Sequence, residues 1–307
     1  MRLLLPSIAG ILVACMAAPA AAVTIDGVRD AAYGAALNVQ TTQTDPFDSA
    51  MGVKDAASGS ELDEAYGFIS GGVLHLFVTG NLQILANPSD PGTFADYLHV
   101  FIDSKAGGQH ALRSDNGSVG FVNLGSMGGM TFDVGFAPDY WIGLLGIGGP
   151  DFGQPYCLTA TYAELPAGAA AAGYGLGQVE AGVPGPLNRR DESIRLQLAI
   201  DNSNVAGVTQ GCAAASGAGV TTGVELAIPL SAIGDPTGCV TVALVTSTKS
   251  FLLLNQTLGP LPPGTCAGRP ASSVDFSSIS GNQFFGLCPS STPTRRETWG
   301  AVKTLYR

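Results

Sequence analysis

Residues 71–80 read Gly-Gly-Val-Leu-His-Leu-Phe-Val-Thr-Gly, and this stretch indicates how the chain folds. The Gly71-Gly72 pair predicts a tight turn, because glycine adopts the positive φ angles that two-residue hairpins need. The residues after the pair are apolar, β-branched and aromatic, which predicts a strand. Residues 61–69 precede the turn and read as a second strand, so we expect a β-hairpin.

Further strand candidates follow along the chain, at residues 97–103, 130–136, 140–145, 193–200, 224–230 and 239–245. Residues 193–200 alternate polar and apolar side chains, which is the pattern of a half-buried strand. The 42 glycines and 19 prolines favour short strands joined by turns. The amphipathic helices of a doubly wound α/β fold are not evident. We therefore predict an all-β fold, an antiparallel β-sandwich (jelly-roll-like) with long Gly/Ala/Pro-rich loops.

We expect a single β-sandwich domain over residues 23–289, followed by a polar C-terminal tail over residues 290–307. The segment near residues 163–188 is rich in alanine, glycine and proline and poor in charge. Such a segment is typical of a flexible linker between two domains or of a long surface loop within one sandwich. We favour the loop, because the strand candidates on its far side resemble completions of the same sheets.

Residues 1–22 have the features of a secretory signal peptide. Arg2 is a short basic region, residues 3–18 are apolar, and residues 20–22 form an Ala-Ala-Ala cleavage pattern. The apolar run is shorter than the roughly 20 residues of a membrane span, so we expect no anchor and no transmembrane segment in the mature chain. We predict a secreted or periplasmic protein. Leu-Val-Ala-Cys, ending at Cys15, resembles a lipobox, and a lipoprotein anchored through Cys15 is the alternative.

Five cysteines follow this leader, and an exported chain meets an oxidising compartment that favours disulfides. An odd number leaves one cysteine outside intramolecular pairs. If each cysteine pairs with the one closest to it in sequence, the disulfides are Cys212–Cys239 and Cys266–Cys288, and Cys157 is left over. No Cys-x-x-Cys motif occurs, which argues against a redox site or a zinc knuckle.

The chain is acidic, with 24 aspartates and glutamates against 14 lysines and arginines and a net charge of −10. An acidic surface repels phosphate backbones, so we expect no nucleic acid partner. Such a surface attracts divalent cations, and turn residues supply the oxygen ligands that Ca²⁺ prefers. The candidate metal ligands are Asp26, Asp103, Asp115 and Asn116. The alternative for all four is ordinary capping of turns.

The best aromatic cluster for binding a sugar is Tyr140-Trp141, next to Asp139. Aromatic faces stack on the apolar faces of sugar rings. We therefore take Asp139, Tyr140 and Trp141 as the candidate ligand-binding residues. The alternative is that Trp141 is the core tryptophan of the sandwich.

The sequence lacks a complete catalytic pattern. The nucleophile motif Gly-x-Ser-x-Gly and the metalloprotease motif His-Glu-x-x-His are absent, and the histidines are His75, His99 and His110. Asp63 and Glu64 are adjacent, and neighbours on a strand point to opposite faces, which makes them a poor pair of catalytic carboxyl groups. We therefore favour a binding protein over an enzyme.

Two passages resemble the family 9 carbohydrate-binding modules and their DOMON-like relatives. Residues 24–27 and 30–33 resemble the opening of those modules, and residues 224–234 resemble their Glu-x-x-Ile-Pro-Leu stretch. Residues 98–103 lie where the modules carry a central strand that ends in aspartate. The resemblance implies a β-sandwich whose partner is a polysaccharide or a cell-surface component.

The mature chain as a whole resembles a group of uncharacterised exported bacterial proteins that often bear a PEP-CTERM sorting tail. The segments that carry this resemblance are residues 59–67, 80–82, 132–136, 255–259 and 281–285. Residues 297–307 lack the hydrophobic sorting helix of that group, which argues against anchoring through the tail. We predict a secreted, non-catalytic binding protein. The alternatives are a structural component of the envelope or extracellular matrix, and a hydrolase whose site is not visible in sequence.

Overall fold

A computed structural model describes residues 23–44, 60–82, 96–120, 122–149, 154–180, 183–187, 194–204, 211–248, 250–265 and 273–289. The predicted signal peptide, its Cys15, and the C-terminal tail lie outside the described residues. Within the described part, helical structure is confined to short 3-10 turns. No helix found there has the length and apolar character needed to cross a membrane.

The strands form two antiparallel sheets that pack face to face, which confirms the predicted all-β sandwich. Sheet A has the strand order β1-β2-β3-β12-β11-β10, and sheet B has the order β14-β13-β4-β7-β8-β9, with β15 also paired to β13. The strands of sheet A are β1 (Asn38–Val39), β2 (Glu61–Ser70), β3 (Val73–Asn81), β10 (Gly185–Leu187), β11 (Leu196–Ile200) and β12 (Gly223–Pro229). The strands of sheet B are β4 (Tyr97–Asp103), β7 (Tyr140–Gly149), β8 (Gln154–Glu164), β9 (Ala172–Glu180), β13 (Val240–Ser247), β14 (Leu253–Leu258) and β15 (Phe285–Leu287). A small ribbon of β5 (Ser118–Val119) and β6 (Val122–Asn123) stands apart from both sheets.

The predicted hairpin of β2 and β3 is present, and its turn is made by Gly71 and Gly72 at φ angles of 59° and 78°. From this hairpin the chain crosses to β4 in sheet B. Both β3 and β4 later receive a distant partner strand, because β12 pairs with β3 and β13 pairs with β4. These two long-range pairings place β3 and β4 in the interior of their sheets rather than at an edge.

The main core fills the space between the sheets. Alternate residues of β3 and β4 point into it, as the period of two in a strand requires. These residues are Leu74, Leu76, Val78, Leu98, Val100 and Ile102, all almost completely buried. Burying a side chain of this type contributes about 1.5–3 kcal/mol, so the alternating rows stabilise the packing of the two sheets.

A second apolar core covers the other face of sheet B. Phe101 and Trp141 point to this side and are fully buried beneath Met130, Phe132 and Phe136. The prediction of a strand at residues 130–136 is wrong. The backbone turns there, with the Phe136 amide donating to the Asp133 carbonyl at 3.1 Å, and the segment contributes side chains rather than a ladder to the sheet.

The prediction of a long loop near residues 163–188 is also wrong, because most of this segment forms β-strand. β9 pairs antiparallel with β8, and Tyr174 lies opposite Tyr162. The small residues that suggested a loop permit a close approach of the two backbones. A Cβ atom at Gly173 would lie 2.0 Å from the Tyr162 carbonyl oxygen, so glycine is required at this point of the strand.

The nearest-neighbour disulfide pairing is corrected by the structure. Cys239 is bonded to Cys288, which is 49 residues away, because β15 pairs with β13 and brings Leu287 opposite Val240. Cys212 is also disulfide-bonded, and Cys266 lies outside the described residues. Cys157 is buried on β8 and takes no part in a disulfide. The predicted presence of disulfides is therefore confirmed, while the predicted partners are not.

Candidate functional site

A pocket of about 390 Å³ opens at one end of the sandwich, where β7, β8 and β9 meet the 3-10 turn Leu230–Ile233 that follows β12. Its wall includes three tyrosines and a glutamate: Tyr140, Tyr162, Tyr174 and Glu164. We call it the tyrosine pocket. Both sheets therefore contribute to it, which makes its shape a consequence of how they pack.

The register of sheet B brings the three tyrosines together. Tyr174 lies opposite Tyr162 on the neighbouring strand, and Tyr140 starts the strand on the other side. Ring centroids are 6.0 Å apart both from Tyr140 to Tyr162 and from Tyr162 to Tyr174. Tyr140 and Tyr162 are buried, whereas Tyr174 is partly exposed, so its ring offers the accessible aromatic surface.

Polar groups lie around the rings. Glu164 is exposed and lies directly opposite Tyr140 in the pairing of β8 with β7. The Lys105 Nζ atom donates to the Tyr140 hydroxyl at 2.7 Å and lies 4.6 Å from the centre of the same ring. The hydrogen bond to Tyr140 raises the pKa of Lys105. The pocket thus combines aromatic surface with a carboxylate and an ammonium group nearby.

Two hydrogen-bonded contacts hold the rim of the pocket in place. The Asp139 carboxylate accepts from the backbone amides of Ser104 and Lys105 at 3.1 and 3.0 Å, which fixes the turn that carries Lys105. The Tyr162 hydroxyl donates to the Ala232 carbonyl at 2.8 Å and ties β8 to the turn that follows β12. Asp139 therefore has a positioning role close to the pocket.

The predicted ligand-binding residues separate in the structure. Tyr140 lines the tyrosine pocket, and Asp139 holds the adjacent turn. Trp141 points to the opposite face of sheet B, where it is fully buried, so it is the core tryptophan of the alternative interpretation. Adjacent residues on a strand face opposite ways, and one therefore belongs to the site and the other to the core.

The candidate calcium ligands Asp26 and Asp103 are both engaged within the protein. The Asp26 carboxylate accepts from the Val28 amide at 2.9 Å, and the Asp103 carboxylate accepts from the Ala137 amide at 2.9 Å. The Asp26 contact is the turn capping that the alternative interpretation describes, whereas the Asp103 contact joins two segments 34 residues apart.

The other two candidate ligands, Asp115 and Asn116, are also engaged. Asp115 pairs with Arg113 at 2.6 Å on the surface, and the buried Asn116 exchanges amide hydrogen bonds of 3.0 and 2.9 Å with Gln109. In the described part of the chain, no three carboxylate, histidine or cysteine side chains converge on one point.

A histidine and a serine do meet in the fold, at His99 and Ser247, with 2.8 Å between Nε2 and Oγ. The Trp141 indole donates to His99 Nδ1 at 3.2 Å, which leaves the ring proton on Nε2, and the serine hydroxyl donates to the Thr248 carbonyl at 3.1 Å. The histidine is therefore a donor to the serine and not a base for it. All three side chains are fully buried, and burial lowers the pKa of His99 to about 3. The trio has a structural role in the second core.

Sequence reasoning missed Lys105, Tyr162, Glu164 and Tyr174. Tyr174 lies in the segment interpreted as a loop, and without β9 nothing relates it to the tyrosines of β7 and β8. The signal that was available is the Thr-Ala-Thr-Tyr-Ala-Glu stretch at residues 159–164, which alternates side chains and places Tyr162 and Glu164 on one face.

Comparison of the chain with protein-family models, with curated proteins and with solved structures finds no match.

Proposed function

We propose that this chain is an exported, non-catalytic carbohydrate-binding protein that binds a sugar unit of a polysaccharide or of a cell-surface glycan in the tyrosine pocket. The observation that carries the proposal is the convergence of Tyr140, Tyr162, Tyr174 and Glu164 at one open end of the sandwich. A ligand pocket needs a concave apolar wall with a few placed polar groups, and these residues supply both.

The chemistry of the pocket suits a sugar. Tyrosine has an apolar ring for the C–H face of a pyranose and a hydroxyl group at its edge, and Glu164 and Lys105 offer an acceptor and donors for sugar hydroxyls. The volume of about 390 Å³ falls in the range of about 300–1,000 Å³ that is usual for small-ligand sites. A pocket of this size accommodates a short stretch of glycan rather than an extended chain.

Export supports the same proposal. The sequence of residues 1–22 predicts secretion, and the Cys239–Cys288 disulfide is typical of proteins that fold in an oxidising compartment. Polysaccharides and cell-surface glycans are the ligands that such a compartment presents.

The test is a binding screen of residues 23–307 against a panel of soluble and insoluble polysaccharides, followed by titration of the best ligand. We expect Tyr174→Ala to weaken binding at least about tenfold, which corresponds to about 1.4 kcal/mol. Glu164→Gln should also weaken binding. Glu180→Gln is the matched control, because Glu180 is an exposed glutamate on the same edge of sheet B but at the far end of β9.

Thermal unfolding of each variant separates loss of contact from loss of fold. Tyr174 is partly exposed on an edge strand, so its removal should leave the melting temperature within a few degrees of the wild type. Absence of binding to every polysaccharide, or equal affinity in Tyr174→Ala and Glu180→Gln, would contradict the proposal.

A further inference from the structure

A second, separate cavity of about 160 Å³ lies beside the first residues of β2. Its lining is polar and acidic, with oxygen-bearing side chains from three segments: Gln40, Thr42, Gln43, Glu61, Asp63 and Ser216. We call it the acid cavity. It shares no residue with the tyrosine pocket.

Asp63 is the unusual residue of the acid cavity. Its side chain is 1% exposed, and its Oδ2 atom is buried without a hydrogen-bond partner. Removing a carboxylate oxygen from water without a partner is unfavourable, so folded proteins almost always satisfy such an atom or neutralise its charge. Burial and the negative charge of Glu64 both raise the pKa of Asp63, to about 7.

A bulge in β2 explains why Glu64 acts on Asp63. The pairing of β2 with β3 shifts by one residue between Leu62 and Ala65, so the strict alternation of side chains is interrupted at Asp63 and Glu64. The expectation that Asp63 and Glu64 point to opposite faces assumed an unbroken alternation, and the bulge interrupts the alternation at these two residues. Glu61, Asp63 and Glu64 concentrate negative charge within four residues, and all three are buried.

The backbone around the cavity is held closely. The Gln40 amide donates to the Asp63 carbonyl at 2.7 Å, and the Gly217 amide donates to the Gln40 carbonyl at 3.2 Å. A Cβ atom at Gly217 would lie 2.5 Å from Asp63 Cα, so a glycine is needed for residues 215–217 to pass over the aspartate. The shape of the acid cavity is therefore fixed by backbone contacts between its segments and not by side-chain positions alone.

We propose that the acid cavity is a binding site for a hard divalent cation of the Ca²⁺ type, with Asp63 as its principal ligand. The cavity offers carboxylate, amide and hydroxyl oxygens in an irregular arrangement, and Ca²⁺ accepts six to eight oxygens without a fixed geometry. Among the described residues that line the cavity there is no histidine or cysteine, so softer metals such as zinc are not favoured. A bound cation would supply the missing partner of Asp63 Oδ2 and offset the repulsion between the carboxyl groups.

This site differs from the calcium ligands expected from the sequence, and it supplies a matched control. Asp115 is an acidic residue that pairs with Arg113 on the surface, so Asp115→Asn removes one negative charge without touching the acid cavity. Asp63→Asn removes one negative charge inside it and preserves the shape of the side chain.

The experiment measures thermal unfolding of residues 23–307 at pH 7.5, with 2 mM CaCl₂ or with chelator. We expect Ca²⁺ to raise the melting temperature of the wild type and of Asp115→Asn by at least about 3 °C, because a ligand that binds only the folded state stabilises it. The same addition should leave Asp63→Asn unchanged. Equal melting temperatures of the wild type with calcium and with chelator, or an undiminished shift in Asp63→Asn, would overturn the proposal.

A second measurement covers the case in which Asp63→Asn does not fold. Equilibrium dialysis with radioactive calcium should give one site per chain in the wild type and an affinity at least tenfold lower in Glu61→Gln. An unchanged affinity in Glu61→Gln, or no retained calcium in the wild type, would count against the site.

Discussion

At the scale of single residues, β7 shows how one strand serves two purposes. Tyr140 faces the tyrosine pocket, and Trp141, the next residue, faces the second core, where its ring stacks with that of His99 on the adjacent strand β4. Because a strand alternates its side chains, Trp141, the aromatic next in sequence to the pocket-lining Tyr140, faces away from the pocket. A change at Trp141 therefore tests packing, whereas a change at Tyr174 tests contact with a ligand.

His99 gives a residue-scale prediction about pH. The folded protein holds the pKa of His99 at about 3, whereas an unfolded histidine titrates near 6.5. Between these values the unfolded chain binds a proton that the folded protein excludes, so the contribution of His99 to stability is lost as pH falls below about 6.5. The loss is as much as about 1.4 kcal/mol per pH unit in this window.

The measurement is urea unfolding of the wild type and of His99→Gln at pH 7.0, 5.5 and 4.5. His99→Gln should be less stable at pH 7.0, and its deficit relative to the wild type should shrink as pH falls. His110→Gln is the control, because His110 is exposed. A deficit of His99→Gln that stays constant with pH would show that His99 titrates in the same way in both states.

At the scale of elements, the pairing of β15 with β13 attaches a C-terminal segment of the described chain to sheet B. The Cys239–Cys288 disulfide closes a loop of 49 residues next to the Val240–Leu287 pair. Closing a loop of this length restricts the unfolded chain and contributes about 2–4 kcal/mol. The double variant Cys239→Ala, Cys288→Ala should therefore unfold at lower urea than the wild type.

That prediction is checked by urea titration of both proteins without reductant, monitored by circular dichroism. The variant should keep the wild-type spectrum in the absence of urea, because β13 remains paired with β4 through seven residue pairs. An unchanged urea midpoint would mean that the loop is already restricted in the unfolded chain.

The same scale explains which elements could be predicted from the sequence. β3, β11, β12 and β13 carry apolar or alternating runs with one or both faces buried, and such runs identify strands. β9 could not be recognised, because its glycines resemble those of a loop, although Gly173 is required by the close approach to β8. Residues 130–136 were predicted as a strand although they are not one. The apolar residues of a segment that packs on a sheet have the same sequence pattern as the residues of a strand within it.

The candidate site was predictable only in part, for a physical reason. Tyr140 was found because it is followed by Trp141 in sequence, but its partners in the pocket lie 22 and 34 residues further along the chain, at Tyr162 and Tyr174. The acid cavity escaped prediction because it depends on the bulge at Asp63 and on the passage of residues 215–217 over β2. Neither contact has a signature within the local sequence.

At the scale of the whole molecule, the protein is a two-sheet sandwich with an additional layer over sheet B. The layer buries Phe101 and Trp141, which leaves the ends of the sandwich as places for a pocket. The tyrosine pocket forms at one such end from both sheets, so a ligand there contacts β7, β8, β9 and the turn after β12 together. Binding should therefore stabilise the packing of the sheets as well as the pocket itself.

The measurement that tests the central claim most directly is a crystal structure of residues 23–307 with the best-binding oligosaccharide from the polysaccharide screen. Our account predicts a sugar ring in the tyrosine pocket, with its apolar face against Tyr174 and a hydroxyl group hydrogen-bonded to Glu164. A sugar bound at any other surface, with the tyrosine pocket filled only by water, would contradict the account.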